Sequence, residues 1–154
     1  MRAILLLLSA IFGTAIAADD LPKVGRFGET MEQCKLRYGP PVRQWGAETT
    51  FEKNGFALEI KFHEGRVDQI RYRKLDSSNL TKAEVDALLA NISAGPWKAS
   101  EIFGFEWSCP EGHRAAVNMV IQHDLVIESA DLVKREAEKK ATPEKDGAAR
   151  ARGL

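Results

Sequence analysis

The sequence predicts an α+β fold in which a helix and a three-stranded antiparallel meander occur twice, with the helices packed on one face of the sheet. Two capping boxes, Thr30-Met31-Glu32-Gln33 and Thr81-Lys82-Ala83-Glu84, each precede an amphipathic segment. An Asn54-Gly55 pair between two alternating segments is typical of a tight β-hairpin. Since neither half can bury both sides of its elements, we expect the two halves to form one α-β layer pair.

The first 17 residues predict a cleaved signal peptide. Arg2 supplies a positive charge, Ala3 to Phe12 form an apolar run, and Ala15-Ile16-Ala17 places small residues at the cleavage positions. The apolar run is shorter than the roughly 20 residues that span a bilayer. No cysteine lies near the cleavage point. We therefore expect a periplasmic or secreted protein with no transmembrane anchor after cleavage and no lipid anchor.

Composition limits the remaining chain to one folded domain. The sequence has 154 residues, of which 44% are hydrophobic, a share that excludes wholesale disorder. We expect an α+β domain over 18–133, with halves 25–74 and 80–128, and a charged, mostly disordered tail over 134–154. Because the 22 basic and 22 acidic side chains balance, the sequence gives no electrostatic case for nucleic-acid binding.

The first half begins with a short helix. Met31, Cys34 and Tyr38 recur on one of its faces, and Gly39-Pro40-Pro41 ends it. A two-residue type I′ turn at Asn54-Gly55 then fixes the hairpin register. The predicted inward pairs are Phe51 with Leu58, Thr49 with Ile60, and Ala47 with Phe62; the outward pairs are Thr50 with Glu59 and Glu48 with Lys61.

A third strand, Val67 to Arg73, follows this hairpin. Simple pairing across its turn would bring polar residues inward, so the sequence predicts a β-bulge near Gly65 to Asp68. The bulge would direct Ile70 and Tyr72 toward the core.

The second half repeats the pattern. A helix with Val85, Leu88, Leu89 and Ile92 on one face ends at Gly95-Pro96. A strand from Ile102 to Cys109 turns at Pro110-Glu111-Gly112, and a last turn is expected at Gln122-His123-Asp124. The predicted pairs are Cys109 with His113, Trp107 with Ala115, Phe105 with Val117, Phe103 with Met119, Met119 with Ile127, and Ile121 with Leu125. A helix from Asp131 is expected to continue through Lys134 to Lys140 and to end before Pro143.

Part of the first half resembles a known group of envelope domains. The segments are Gly28-Glu29-Thr30, Arg37-Tyr38-Gly39-Pro40-Pro41 and Phe62-His63-Glu64-Gly65-Arg66-Val67. Over residues 25–74 they are similar to the SmpA/BamE outer-membrane-assembly type and to the related β-lactamase-inhibitor-protein fold. The resemblance implies a protein-binding module of the envelope rather than a catalyst. The chain departs from the assembly family in lacking its lipidated cysteine.

Cys34 and Cys109 leave two alternatives open. In an exported protein, two inward-facing cysteines predict one disulfide, which would close a loop of about 75 residues and add roughly 4 kcal/mol. The alternative is two buried free thiols that act as small hydrophobic residues. If the cysteines are bridged, neither of them is a nucleophile.

Cys109 and His113 form the only pair with a hint of reactivity. Their expected cross-strand contact would suit a thiolate-imidazole pair or two metal ligands, with His63, Glu106 or Glu111 as a third ligand. One Cys-x-x-x-His pair is far short of a zinc site, and turn histidines such as His63 are usually solvated. We therefore assign no metal, no cofactor and no catalytic residue.

Basic residues gather near the first meander and form a candidate face for a partner or an anion. They are Lys61, Arg66, Arg71 and Arg73. Interleaved acidic residues are expected to pair with several of them. The three tryptophans are expected to pack in the core or at its rim.

These patterns favour an exported, non-catalytic module that binds another envelope or secreted protein. The sheet's outer face or the hairpin turns would make the contact, and an exposed apolar or aromatic patch is the expected sign. The alternatives are a small-ligand or metal module centred on Cys109 and His113, and a small hydrolase. The sequence contains no phosphate loop, no Gly-x-Ser-x-Gly and no His-Glu-x-x-His, so nothing in it argues for an enzyme.

Overall fold

A computed structural model describes residues 27–93, 95–102, 104–118 and 124–141. The predicted signal peptide, residues 1–17, lies outside this part of the chain, as does the tail beyond 141. The helices are α1 (Met31–Tyr38), α2 (Lys82–Ile92) and α3 (Ala130–Ala141). The strands are β1 (Arg43–Trp45), β2 (Glu48–Lys53), β3 (Phe56–His63), β4 (Arg66–Lys74), β5 (Lys98–Ala99), β6 (Glu106–Ser108), β7 (Arg114–Val117) and β8 (Asp124–Glu128).

The eight strands form one antiparallel sheet in the order β1-β2-β3-β4-β8-β7-β6-β5. The α+β class is therefore confirmed. Each half consists of a helix followed by four strands, whereas the sequence predicted three. The additional strands are the short strands β1 and β5. The halves join where β4 pairs with β8, so β1 and β5 form the two edges.

The first meander has the predicted register. Phe51 pairs with Leu58 and Thr49 with Ile60, and the Phe62 N–H donates to the Ala47 carbonyl at 2.9 Å. Asn54 and Gly55 both have positive φ, as a type I′ turn requires. The β3–β4 register shifts between Lys61 and Phe62, and this bulge brings Ile70 and Tyr72 inward as predicted.

The second meander confirms one hairpin and corrects the other. The hairpin that turns at Pro110-Glu111-Gly112 has the predicted register. Trp107 pairs with Ala115, the Val117 N–H donates to the Phe105 carbonyl, and the Cys109 N–H donates to the His113 carbonyl. Leu125 pairs with Val117, however, and Ile127 with Ala115.

The last turn is therefore longer than the predicted three residues, and Asp124 begins β8 instead of ending the turn. The register moves by an even number of residues, so the inward side chains still face inward. The predicted partners Phe103, Met119 and Ile121 lie outside the described residues. The strand expected from Ile102 is also shorter: β6 starts at Glu106, and Ile102 is 82% exposed.

Both predicted capping boxes are present. The Thr30 hydroxyl accepts from the Gln33 N–H while the Gln33 side chain accepts from the Thr30 N–H, and Thr81 and Glu84 make the same exchange. The buried residues of both helices belong to one cluster with the inward residues of the sheet. This cluster is Cys34, Tyr38, Phe51, Phe56, Leu58, Ile60, Val67, Ile70, Tyr72, Val85, Leu88, Leu89, Ala115, Leu125 and Ile127.

Helix α3 is attached to the sheet mainly by polar contacts. Asp68 on β4 accepts from the Ser129 hydroxyl at 2.5 Å and forms an ion pair with Arg135. Arg114 on β7 bridges Glu128 and Glu136, the latter at 2.9 Å. No residue of α3 is buried within Ala130–Ala141. Residues 134–141 of the expected tail are therefore helical and docked on the domain.

Candidate binding surfaces

The outer face of the sheet, opposite the core cluster, carries a buried charge cluster. Glu59 accepts from Arg71 Nη1 and from Arg73 Nη2, both at 3.2 Å. Arg71 Nε lies 3.8 Å from an Asp124 carboxylate oxygen. Both carboxylates are buried, whereas the two guanidinium groups remain partly exposed. The cluster pairs its charges internally, which is a structural use for these residues.

The four basic residues of the predicted cationic face do not act together. Arg71 and Arg73 are engaged by Glu59. Lys61, two residues after Glu59 on β3, is exposed on the outer face. Arg66 donates to the Gly28 carbonyl at 2.9 Å and holds the chain entering α1. The structure therefore brings together two of the four residues and gives them a carboxylate partner.

The centre of the outer face offers no apolar docking patch among the described residues. One cross-strand row there is Thr50, Glu59, Arg71, Val126 and Ala116. None of these side chains is a large, exposed apolar group. A partner-binding surface has to be sought at the edges of the sheet.

Exposed hydrophobic residues are concentrated in the stretch of chain that leads to the edge strand β1. Leu36 on α1 is 89% exposed, Val42 is 56% exposed, and Trp45 on β1 is 78% exposed. Three of the five large exposed hydrophobic residues in the described chain thus lie within residues 36–45, which we call the edge segment. Trp45 was expected in the core or at its rim, and this expectation is wrong: three-residue β1 lies at the sheet edge, where none of the three described helices covers this side chain.

Cys109 and His113 are neighbours across the β6–β7 turn, but their side chains bond to other residues. The Cys109 N–H donates to the His113 carbonyl at 3.2 Å. Hydrogen bonds from the Cys109 thiol and then from Ser93 lower the pKa of Glu111 to about 2. His113 Nδ1 accepts from the Ala130 N–H at 3.0 Å, at the start of α3. The ring centroid of His113 lies 4.7 Å from that of Phe27.

These partners give the turn a structural role. Burial lowers the pKa of His113, so its ring stays neutral and able to accept at Nδ1 near pH 7. His63, the other histidine considered as a ligand, has Nε2 at 3.9 Å from Glu64. Within the described residues, no group of three His, Cys, Asp or Glu side chains is arranged to hold a metal ion.

Both cysteines are free thiols in the structure and both are buried. Cys34, on the buried face of α1, belongs to the core cluster, where burial and then the charge of Glu29 raise its thiol pKa to about 11. Cys109 lies at the β6–β7 turn beside Glu111. The two thiols therefore occupy different surroundings.

A groove lies between the C-terminal end of α2 and strand β6, with a volume of about 480 Å³. We call it the tryptophan groove. Its walls include Asp86, Leu89, Ala90, Pro96, Trp97 and Trp107. The Trp97 indole N–H donates to the Leu89 carbonyl at 2.7 Å, which fixes the orientation of this ring. As expected, Trp97 and Trp107 lie at the rim of the core, half-buried.

No family model, curated protein or solved structure matches this chain. No helix in the described part of the chain has the length and apolarity needed to cross a bilayer. The surfaces of the domain itself are therefore the basis on which a function is proposed.

Sequence reasoning missed both surfaces that now stand out. It assigned all three tryptophans to packing, because large aromatic residues are usually buried. A weak signal was available for Trp45, which lies between Pro40-Pro41 and Gly46, outside the predicted helix and strands. For Trp97 and Trp107 no local signal exists, since the groove forms only when α2 and β6 come together.

Proposed function

We propose that this chain is an exported, non-catalytic module that binds another protein of the cell envelope or another secreted protein. The observation that carries the proposal is the edge segment, where Leu36, Val42 and Trp45 are exposed on neighbouring stretches of chain. Tryptophan is enriched among residues that dominate binding energy at protein interfaces. An exposed tryptophan on an edge strand, with two further exposed aliphatic residues in the same segment of the chain, fits an interface better than it fits a solvated surface.

The position of β1 suggests how a partner would bind. All three residues of β1 are exposed, and among the described strands β1 pairs only with β2. The open side of an edge strand presents N–H and C=O groups that an extended peptide can pair with. We propose that a partner adds a strand beside β1 and packs an apolar side chain against Trp45.

We also propose that the two halves are a repeat with both helices on one face of the sheet. The order helix, four strands, helix, four strands supports this, as does the mirrored strand order on either side of β4 and β8. The capping threonines, Thr30 and Thr81, occupy equivalent positions at the starts of α1 and α2. In such a repeat the edge strands β1 and β5 are counterparts, and only β1 carries an exposed tryptophan.

Site-specific crosslinking tests the partner proposal. A photo-crosslinking amino acid replaces Trp45 in the full-length protein, expressed in the cells that make it. Replacement of Ile102 is the matched control, because Ile102 is as exposed but lies in the second half. We expect one discrete protein adduct at position 45 and none at 102. Absence of an adduct at 45, or the same adducts at both positions, would contradict the proposal.

Export has its own test. N-terminal sequencing of the protein recovered from the envelope or medium is expected to begin at Ala18, because cleavage after Ala17 is predicted. Recovery of a chain that still begins at Met1 in the cytosolic fraction would contradict export and leave the interface test unaffected.

A further inference from the structure

The tryptophan groove has the size and lining of a small-ligand site. A volume of about 480 Å³ lies within the range of roughly 300 to 1,000 Å³ that is common for such sites. Leu89, Ala90 and Pro96 provide apolar surface, and two indole rings from different segments face the cavity. The indole N–H of Trp97 already donates to the Leu89 carbonyl, so Trp97 would contact a ligand through the face of its ring.

The groove is also electronegative. Asp86 is its only charged lining residue within the described chain, and its partner Lys82 is an exposed neighbour on the same helix. Such an exposed pair contributes little and is easily exchanged for another cation. The carboxylate of Glu111 lies next to the groove, since both its oxygens are 3.1 Å from the position that a Cβ on Gly95 would occupy.

The end of helix α2 adds to this negative potential. Leu89 and Ala90 belong to its last turn, so the groove faces the negative end of the helix dipole. The last turn of α2, which is described in full, contains no basic residue to offset the dipole. The groove is therefore lined by the Asp86 carboxylate and two electron-rich rings, with the C-terminal end of a helix and the Glu111 carboxylate beside it.

We propose that the tryptophan groove binds a small organic cation of the alkylammonium class. The cationic group would lie against the indole faces, where aromatic rings attract cations, and its alkyl substituents would contact Leu89 and Pro96. An anion is disfavoured because the only charged side chain among the described lining residues is the carboxylate of Asp86. A carbohydrate is disfavoured because, among the described lining residues, Asp86 is the only exposed side chain that could bond to several hydroxyl groups: the Ser93 hydroxyl is buried and already accepts from the Gly95 N–H.

Choline and its uncharged isostere 3,3-dimethylbutan-1-ol test this proposal in the full chain. A Trp45→Phe background leaves Trp97 and Trp107 as the only tryptophans, so their fluorescence reports on the groove. We expect saturable quenching by choline with a Kd of about 1 mM or tighter, and binding of the alcohol at least about fivefold weaker. Equal binding of the two compounds, or no saturation by choline well above this concentration, would overturn the proposal.

Variants locate the site. Asp86→Asn is expected to weaken choline binding about threefold, and Trp107→Leu about fivefold or more. Glu32→Gln, which removes an exposed acidic residue from α1, is the matched control and is expected to change nothing. Since Asp86 is exposed, its replacement keeps the test valid even if Trp107→Leu fails to fold. Choline affinity unchanged by Asp86→Asn, or lowered equally by Glu32→Gln, would overturn the assignment. The proposal does not depend on the edge segment.

Discussion

The two halves of the sheet have the same order of elements but differ in how completely they pack. Strands β2, β3 and β4 have six, eight and nine residues, whereas their counterparts β6, β7 and β8 have three, four and five. Phe51 and Leu58 in the first half are fully buried, while Trp107 and Val117 on the same face of the second half are only partly covered. The first half therefore supplies most of the core, and the second half has the looser packing in which a groove can form.

Turn chemistry accounts for part of this difference. The two-residue turn at Asn54-Gly55 lets β2 and β3 pair along their whole length. In the second half, residues 100–105 separate β5 from β6, and only two residues of β5 pair. Shorter pairing leaves fewer inward side chains to bury, so the indoles of Trp97 and Trp107 stay partly open to solvent.

The largest expected effect comes from deleting a side chain in the better-packed half. Phe51→Ala removes a fully buried ring that packs 5.6 Å from Tyr38, centroid to centroid, and is expected to lower the free energy of unfolding by about 3–5 kcal/mol. Val117→Ala, on the same inward face of the second half, removes less apolar surface from a partly covered position and is expected to cost about 1 kcal/mol. Urea unfolding followed by circular dichroism measures both values. Equal losses would show that the halves contribute equally to stability and would contradict the comparison.

A smaller effect on stability is expected from the protonation of His113, which bonds to the first residue of α3. Neutral His113 accepts from the Ala130 N–H, and burial lowers the pKa of its ring, whereas nearby Glu111 and Asp131 oppose this shift. Because the unfolded chain takes up the proton more readily, stability is complete above about pH 6.5 and decreases as the pH falls from there toward the lowered pKa.

The variant His113→Gln isolates this contribution. A glutamine oxygen can still accept a hydrogen bond but does not titrate between pH 5 and 7. Thermal unfolding from pH 7 to 5 is expected to show a steeper loss of stability for the native protein than for the variant. Parallel curves would mean that His113 does not control the attachment of α3.

The smallest effect concerns the thiols and leaves stability unchanged. Both cysteines are free and buried, so titration in denaturant is expected to find two thiols per chain and titration of the native protein almost none. At pH 8, Cys109 is expected to react before Cys34, because a turn in the shorter hairpin opens more often than the core beneath α1. The raised pKa of Cys34 slows its reaction further. No free thiol in denaturant would instead demonstrate a Cys34–Cys109 disulfide.

Several elements could be predicted from local sequence. Both capping boxes, the Asn54-Gly55 register and the β4 bulge depend on residues within about a dozen positions of each other, and all of them are confirmed. The last hairpin was placed in the wrong register because its connection is longer than the turn residues suggested. Ile102 was wrongly expected to begin a strand, since an apolar residue by itself does not show whether a partner covers it.

The sequence by itself determined the helix ends, the first hairpin and the inward faces, because caps, turns and alternation act between near neighbours. Only the tertiary structure decided that β4 joins β8, that Glu59 becomes buried between two arginines, and that Trp45 stays exposed. It also decided that Trp97 and Trp107 share a groove. These outcomes depend on which distant segments meet, and burial is a property of that meeting rather than of any residue type.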